Sequence, residues 1–163
     1  MEIFGKSISD YLNFEKWFLI LILIVGLARL GLSLLDVPNS TTKFLSLTVV
    51  LLLGLVYYSI RIHTSGFGSY KQLLPVLELA SIVAGCIIIA GITISILTGK
   101  DNIFSAPEYS PNKADGRTWG HAGAHFVVMF VGPLVLWLIG SLIMFITKKI
   151  TGDQAPRNSA AGA

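Results

Sequence analysis

Apolar residues gather into four long blocks, at 17–35, 44–60, 73–98 and 119–147, and most polar residues fall between them. A helix needs about 17–25 predominantly apolar residues to cross a hydrocarbon core about 30 Å thick, and every block meets that length. None shows the two-residue alternation of a half-buried strand. The pattern predicts an all-α membrane protein, an antiparallel four-helix transmembrane bundle occupying residues 17–149.

The flanks carry different patterns. Residues 1–16 are polar, with apolar side chains at Phe4, Ile8, Tyr11 and Leu12. That is helical spacing, and it predicts a short N-terminal amphipathic surface helix, with Tyr11, Phe14 and Trp17 at headgroup level. Residues 150–163 are small, polar and Pro-containing, which predicts a disordered tail.

Breakers and caps divide the blocks. Pro38 disfavours helix at the residue before it, so Asp36-Val37-Pro38 closes the first helix. The connection is under ten residues, so the first two helices form a hairpin, and Ser40 or Thr41 is placed to cap the second. Pro75 falls in the expected first turn of the third helix, where its missing N–H costs nothing. Gly132-Pro133 marks an expected kink in the fourth. Ser81, Gly85, Gly91, Ser95 and Gly99 give the third helix small-residue faces for close approach. The connection 100–118 exceeds the roughly 12–15 residues usual for a plain loop. Its Phe104 and Tyr109 predict an ordered cover over the start of the fourth helix.

Composition agrees with the pattern. Hydrophobic residues make up 53% of the chain and charged residues 13%, with a mean hydropathy of +0.74. Soluble domains carry about 25% charged residues. The net charge of +3 comes from residues at the ends of the blocks, which points to lipid headgroups as partners and away from nucleic acid. The side holding both termini carries seven cations, Lys6, Lys16, Arg61, Lys71, Lys148, Lys149 and Arg157. The other side carries four, Lys43, Lys100, Lys113 and Arg117. This bias predicts a multi-pass protein of the plasma (inner) membrane with both termini cytoplasmic. The first block is longer than a signal-peptide core of 7–15 residues and is read as a retained helix. Cys86 is the single cysteine, so no intramolecular disulfide forms; it is expected as a buried structural thiol.

The candidate chemistry lies in the few polar groups inside or beside the blocks. Arg29 sits well inside the first, where a charge costs about 2.5–3.5 kcal/mol unless it is paired or snorkels. It is a candidate anchor for an anionic ligand or an acidic partner, or else reaches the headgroups with help from Asp36. Glu78, near the start of the third block, is either a proton- or cation-coupling group or an acid favoured by the helix dipole. His121 and His125 are four residues apart, on one helix face. Paired imidazoles at this spacing hold metals from one helix, provided that a third ligand joins them. The acids on the same side are Asp101, Glu108, Asp115 and Asp36. A divalent metal at this set, or a haem on His125, is the cofactor expectation; without one, the histidines bond loop backbone and water.

Three functional readings follow. The first is a non-catalytic accessory or oligomeric membrane subunit binding a protein or lipid partner, as a homo-oligomer or within a larger membrane complex. The second is a metal- or haem-binding protein, a lipid-modifying enzyme included, with its site at the outer face. The third is an oligomeric transporter or channel for ions or small solutes. No catalytic triad or nucleotide-binding motif stands out, which favours a non-enzyme.

Overall fold

A computed structural model describes residues 2–106 and 115–151. Expectations for Glu108, Tyr109 and the tail from 152 onward lie outside the described residues. The elements are a small hairpin, β1 (Glu2–Ile3) and β2 (Lys6–Ser7), then α1 (Ile8–Leu34), α2 (Asn39–Thr42), α3 (Leu47–Thr64), α4 (Tyr70–Thr98) and α5 (Trp119–Thr151). Among the described residues, four helices are long and apolar enough to cross a membrane, the second counted from Asn39 through Thr64.

The amino-terminal segment differs from the expected separate surface helix. Glu2 pairs with Ser7 and Ile3 with Lys6 around a two-residue turn, Phe4-Gly5, whose φ angles are 50° and 78°. Two positive φ values are what a tight hairpin turn of matching twist needs. Ser7 then starts α1: its Oγ accepts from the Asp10 amide at 3.1 Å, and its own amide donates to Asp10 Oδ2 at 2.8 Å. Nothing between Asn13 and Trp17 breaks the helix, so residues 8–16 continue into the apolar block as one 27-residue rod. Tyr11 faces inward, its hydroxyl donating to Ile3 O at 2.9 Å, and Gln72 Nε2 ties Phe4 O to the start of α4 at 2.8 Å.

Other boundaries move for local reasons. Ser46, not Ser40 or Thr41, caps α3, its Oγ accepting from the Val49 amide. Ser69 and Gln72 form the capping box of α4, so that helix begins three residues before Leu73 and Pro75 lies past its first turn. Gly99, at φ 70°, ends α4 in the left-handed conformation that glycine adopts without strain. α5 remains helical through Gly132-Pro133 and continues to Thr151.

Packed pairs give the directions. Positions 26 and 30 of α1 face Ile87 and Gly91 of α4, so these helices run parallel. Gly26 and Gly54 meet Leu47 and Phe18, which makes α1 and α3 antiparallel. Gly85 meets Met129 while Gly140 meets Leu73, so α4 and α5 are antiparallel too. This is the up-down-up-down order. The bundle's upper end holds the start of α3, the start of α5 and the finish of α1 and α4.

One core cluster, around Tyr58, Ile62, Leu73 and Met144, fills the lower half, and a second, around Ile22, Ala84 and Ile87, fills the middle. Glycines set the closest approaches: a Cβ on Gly140 would sit 2.7 Å from Ser59 Oγ, and one on Gly85 2.6 Å from Met129 Sδ. Cys86 corrects the expectation of a buried thiol. It faces away from the neighbouring helices and is exposed on α4.

Candidate functional site

The upper end is built by Asn102. Its Nδ2 donates to Gly91 O at 2.7 Å and to Ser95 Oγ at 2.8 Å, and its Oδ1 accepts from the Phe104 amide at 2.9 Å. Ser95 and Ser105 share a hydrogen bond of 2.7 Å beneath it, and the Ile103 amide donates to Ser33 Oγ at 2.8 Å. These bonds pin residues 102–105 across α4 and α1 and seat the Phe104 ring against Gly91. Residues 102–105 are therefore held over the ends of α4 and α1.

Arg117 gathers the far side. Its side chain meets Asp101 at 3.4 Å and Asp115 at 3.1 Å, and Nη1 donates to Gly99 O at 2.8 Å. The hydrogen bond from Arg117 holds the Asp115 carboxyl below the usual carboxylate range, and the same bond raises Arg117. Thr118 Oγ1 accepts from the His121 amide at 3.1 Å, which helps start α5. His121 and His125 then stack, with ring centroids 4.9 Å apart and their Nε2 atoms sharing a hydrogen bond of 3.1 Å.

Below residues 102–105 lies a cavity of about 510 Å³. Arg29, Asn39, Lys43, Ser46, Thr48, His121 and His125 line its polar part, and Ile88, Ile103 and Phe104 part of its apolar wall. Arg29 and Lys43 are cations, and no carboxylate stands among the described lining residues. The amino-terminal turn of α3, from Ser46 to Thr48, opens on the same space, and a helix start carries partial positive charge. Arg29 is only 8% exposed. Its Nη2 donates to Asn39 Oδ1, while its Nη1, buried, has no partner among the described residues. His121 Nδ1 is likewise buried and unpartnered. Buried donors without partners cost about 1–3 kcal/mol each, more when charged, so the unmet guanidinium edge is an energetic debt that calls for a partner.

The site residues expected from sequence divide accordingly. Arg29, His121 and His125 come together on one cavity. Asp36 does not join them: it pairs with Lys100 at 3.0 Å on the exposed surface. Asp101 and Asp115 are held by Arg117, and Glu108 lies outside the described residues. Among the described residues no group of three or more His, Cys, Asp or Glu converges, so the carboxylate–histidine metal set is not assembled. Basic neighbours draw the acids away from the imidazoles. His63 lies at the opposite end, 3.3 Å from Thr151 Oγ1. Glu78 is half-buried in the lower part of α4, without an ion pair among the described residues.

Sequence reasoning missed Asn39 and Lys43, which read as an ordinary connection, and Ser46 and Thr48, which fell inside the second apolar block. It also missed Glu15, which is fully buried in α1, with neither carboxylate oxygen bonded to a described residue. Compared with known protein families, characterised proteins and solved structures, the chain matches none.

Proposed function

We propose that this is a non-catalytic, multi-pass protein of the plasma (inner) membrane whose upper end, at the outer face, binds an anionic group of the phosphate or carboxylate class. One observation carries the reading: the buried Nη1 of Arg29, without a partner among the described residues, at the wall of a cavity that also holds Lys43 and the start of α3. Arg29 supplies a planar fork suited to paired anion oxygens, and Lys43 a point charge. The distribution of lysine and arginine supports the placement of this end outside.

The test uses the full chain in neutral detergent and inorganic phosphate as probe. Phosphate at a hundred times its dissociation constant stabilises the folded protein by about 2.7 kcal/mol. Arg29→Gln loses that gain, and Lys43→Gln reduces it. Absence of any phosphate-dependent stabilisation in the wild type overturns the reading.

A second reading is favoured by the 3.1 Å separation of the two Nε2 atoms, which lets both imidazoles face one divalent metal, with the bound anion completing its shell. Elemental analysis of protein purified without chelator, before and after His125→Ala, decides it.

A further inference from the structure

The upper cavity is larger and less polar than a bare anion needs. Its volume of about 510 Å³ is that of about 17 liquid waters, whereas inorganic phosphate is a single phosphorus with its oxygens. Sites for small organic ligands span about 300–1,000 Å³ and pair an apolar lining with a few polar groups.

The polar and apolar linings come from different elements. Arg29, Lys43, Ser46 and Thr48 stand on α1 and on the segment leading from α2 into α3. Across from them, α4 and the loop after it contribute apolar side chains. Ile88 stands three residues before Gly91, and the Phe104 ring lies 2.6 Å from where a Cβ on Gly91 would sit. Ile103 is held beside it by the bond from its amide to Ser33 Oγ. Ile88, Ile103 and Phe104 are each half-buried, so each leaves apolar surface at the cavity. A phosphate at Arg29 meets the cationic side and leaves this wall against water. An apolar group beside the anion removes that surface from water, which is favourable.

The space is closed toward the middle of the bundle. Below Arg29, a Cβ on Gly26 would sit 2.7 Å from Ile87 and 3.3 Å from Leu47, and Ile22 beneath has no exposure. This packing bars a long chain from passing down between the helices, so the apolar part of an occupant is compact. We infer that the occupant is a compact organic anion: a phosphate or carboxylate held by Arg29 and Lys43, joined to an apolar body about the size of one aromatic ring that packs against Ile88, Ile103 and Phe104. The inference rests on the anion reading of this cavity and adds the chemical class of the molecule that carries the anion. A phospholipid headgroup offers the same phosphate, but its chains exceed the closed space.

The experiment measures the affinities of the full chain, in neutral detergent, for inorganic phosphate and for phenyl phosphate. The wild type prefers phenyl phosphate by about tenfold or more, because apolar surface on the scale of one ring leaves water. Ile88→Ser places a polar group in the wall and lowers that preference to about threefold or less, while Ile88→Leu keeps it. The readout is a ratio within one variant, so a general loss of stability does not imitate it. Arg29→Gln lowers phenyl phosphate affinity about tenfold, which separates binding in the cavity from partition of the ring into the micelle. Equal wild-type affinities for the two probes, an unchanged preference in Ile88→Ser, or displacement of phenyl phosphate by an equal concentration of phosphatidylglycerol overturns the compact organic body and leaves the anion site standing. Failure of the wild type to bind either probe overturns both readings.

Discussion

Ser81 of α4 donates its hydroxyl to the Met129 carbonyl of α5 at 2.9 Å. Met129 is the residue four before Pro133, so its carbonyl is the one that proline, lacking an N–H, leaves without a helical donor. A serine on the neighbouring helix takes the place of the missing amide. That bond explains how α5 passes through Gly132-Pro133 as helix, and Gly85 lets the two backbones come close enough to form it.

The relationship predicts non-additivity. Ser81→Ala leaves a buried carbonyl unmet and destabilises the bundle by about 1–2 kcal/mol. In a Pro133→Ala background the restored amide meets the same carbonyl, and the cost of Ser81→Ala falls to a few tenths. A double-mutant cycle of unfolding in mixed micelles measures the coupling; equal costs in both backgrounds contradict it.

Glu15 predicts a gain from substitution. The side chain has no exposure and no hydrogen bond to a described residue, and it lies on α1 between Tyr11 and Leu19. Burying a polar group without a partner costs about 1–3 kcal/mol by protein mutational data. Glu15→Met keeps the volume and removes that cost, so its unfolding free energy rises by about 1–3 kcal/mol. A loss of stability instead shows that the carboxyl serves a bound cation or a partner chain.

Much of the fold was legible because crossing a bilayer demands length and apolarity, and four blocks meet both. The buried half of the site was legible for the same reason. Arg29 and the histidine pair stand out against apolar surroundings, where a polar group needs a cause. Asn39 and Lys43 gave no such contrast, since polar residues are ordinary in a connection. They reach the cavity only through the turn at Asp36, a non-glycine residue at φ 57°, followed by the short helix α2. Glu15 was hidden by its neighbours. A polar, helically spaced stretch reads as a surface helix, and only the unbroken α1 carries that residue into the core.

The loop ion pairs predict a response to acid. The folded pKa of Asp115 is depressed, so its contribution is fully present above the unfolded value of about 3.9 and is lost as pH falls through the lower folded value. Arg117 stays charged throughout. The Arg117 amide donates to Asp115 Oδ1 at 2.8 Å, so its hydrogen-exchange protection should drop below about pH 4. Asp115→Asn should abolish that pH dependence.

Cys86 offers a native probe of placement. It is exposed and lies midway along α4, sixteen residues after Tyr70. A charged maleimide should leave it unmodified in lipid vesicles and modify it once the chain is denatured in detergent, because thiol reactivity needs access and the thiolate. Modification in intact vesicles contradicts a membrane-embedded bundle.

The hairpin at the amino terminus has a consequence for the order of assembly. Its outer strap, from Gln72 to Phe4, joins residues 68 positions apart, so during synthesis the hairpin has only its local tie to Tyr11 until α1 and α3 are complete and α4 has begun. Residues made before α1 are thus among the last to be fully secured. They become a latch that closes only when α4 has come alongside α1 in the correct register.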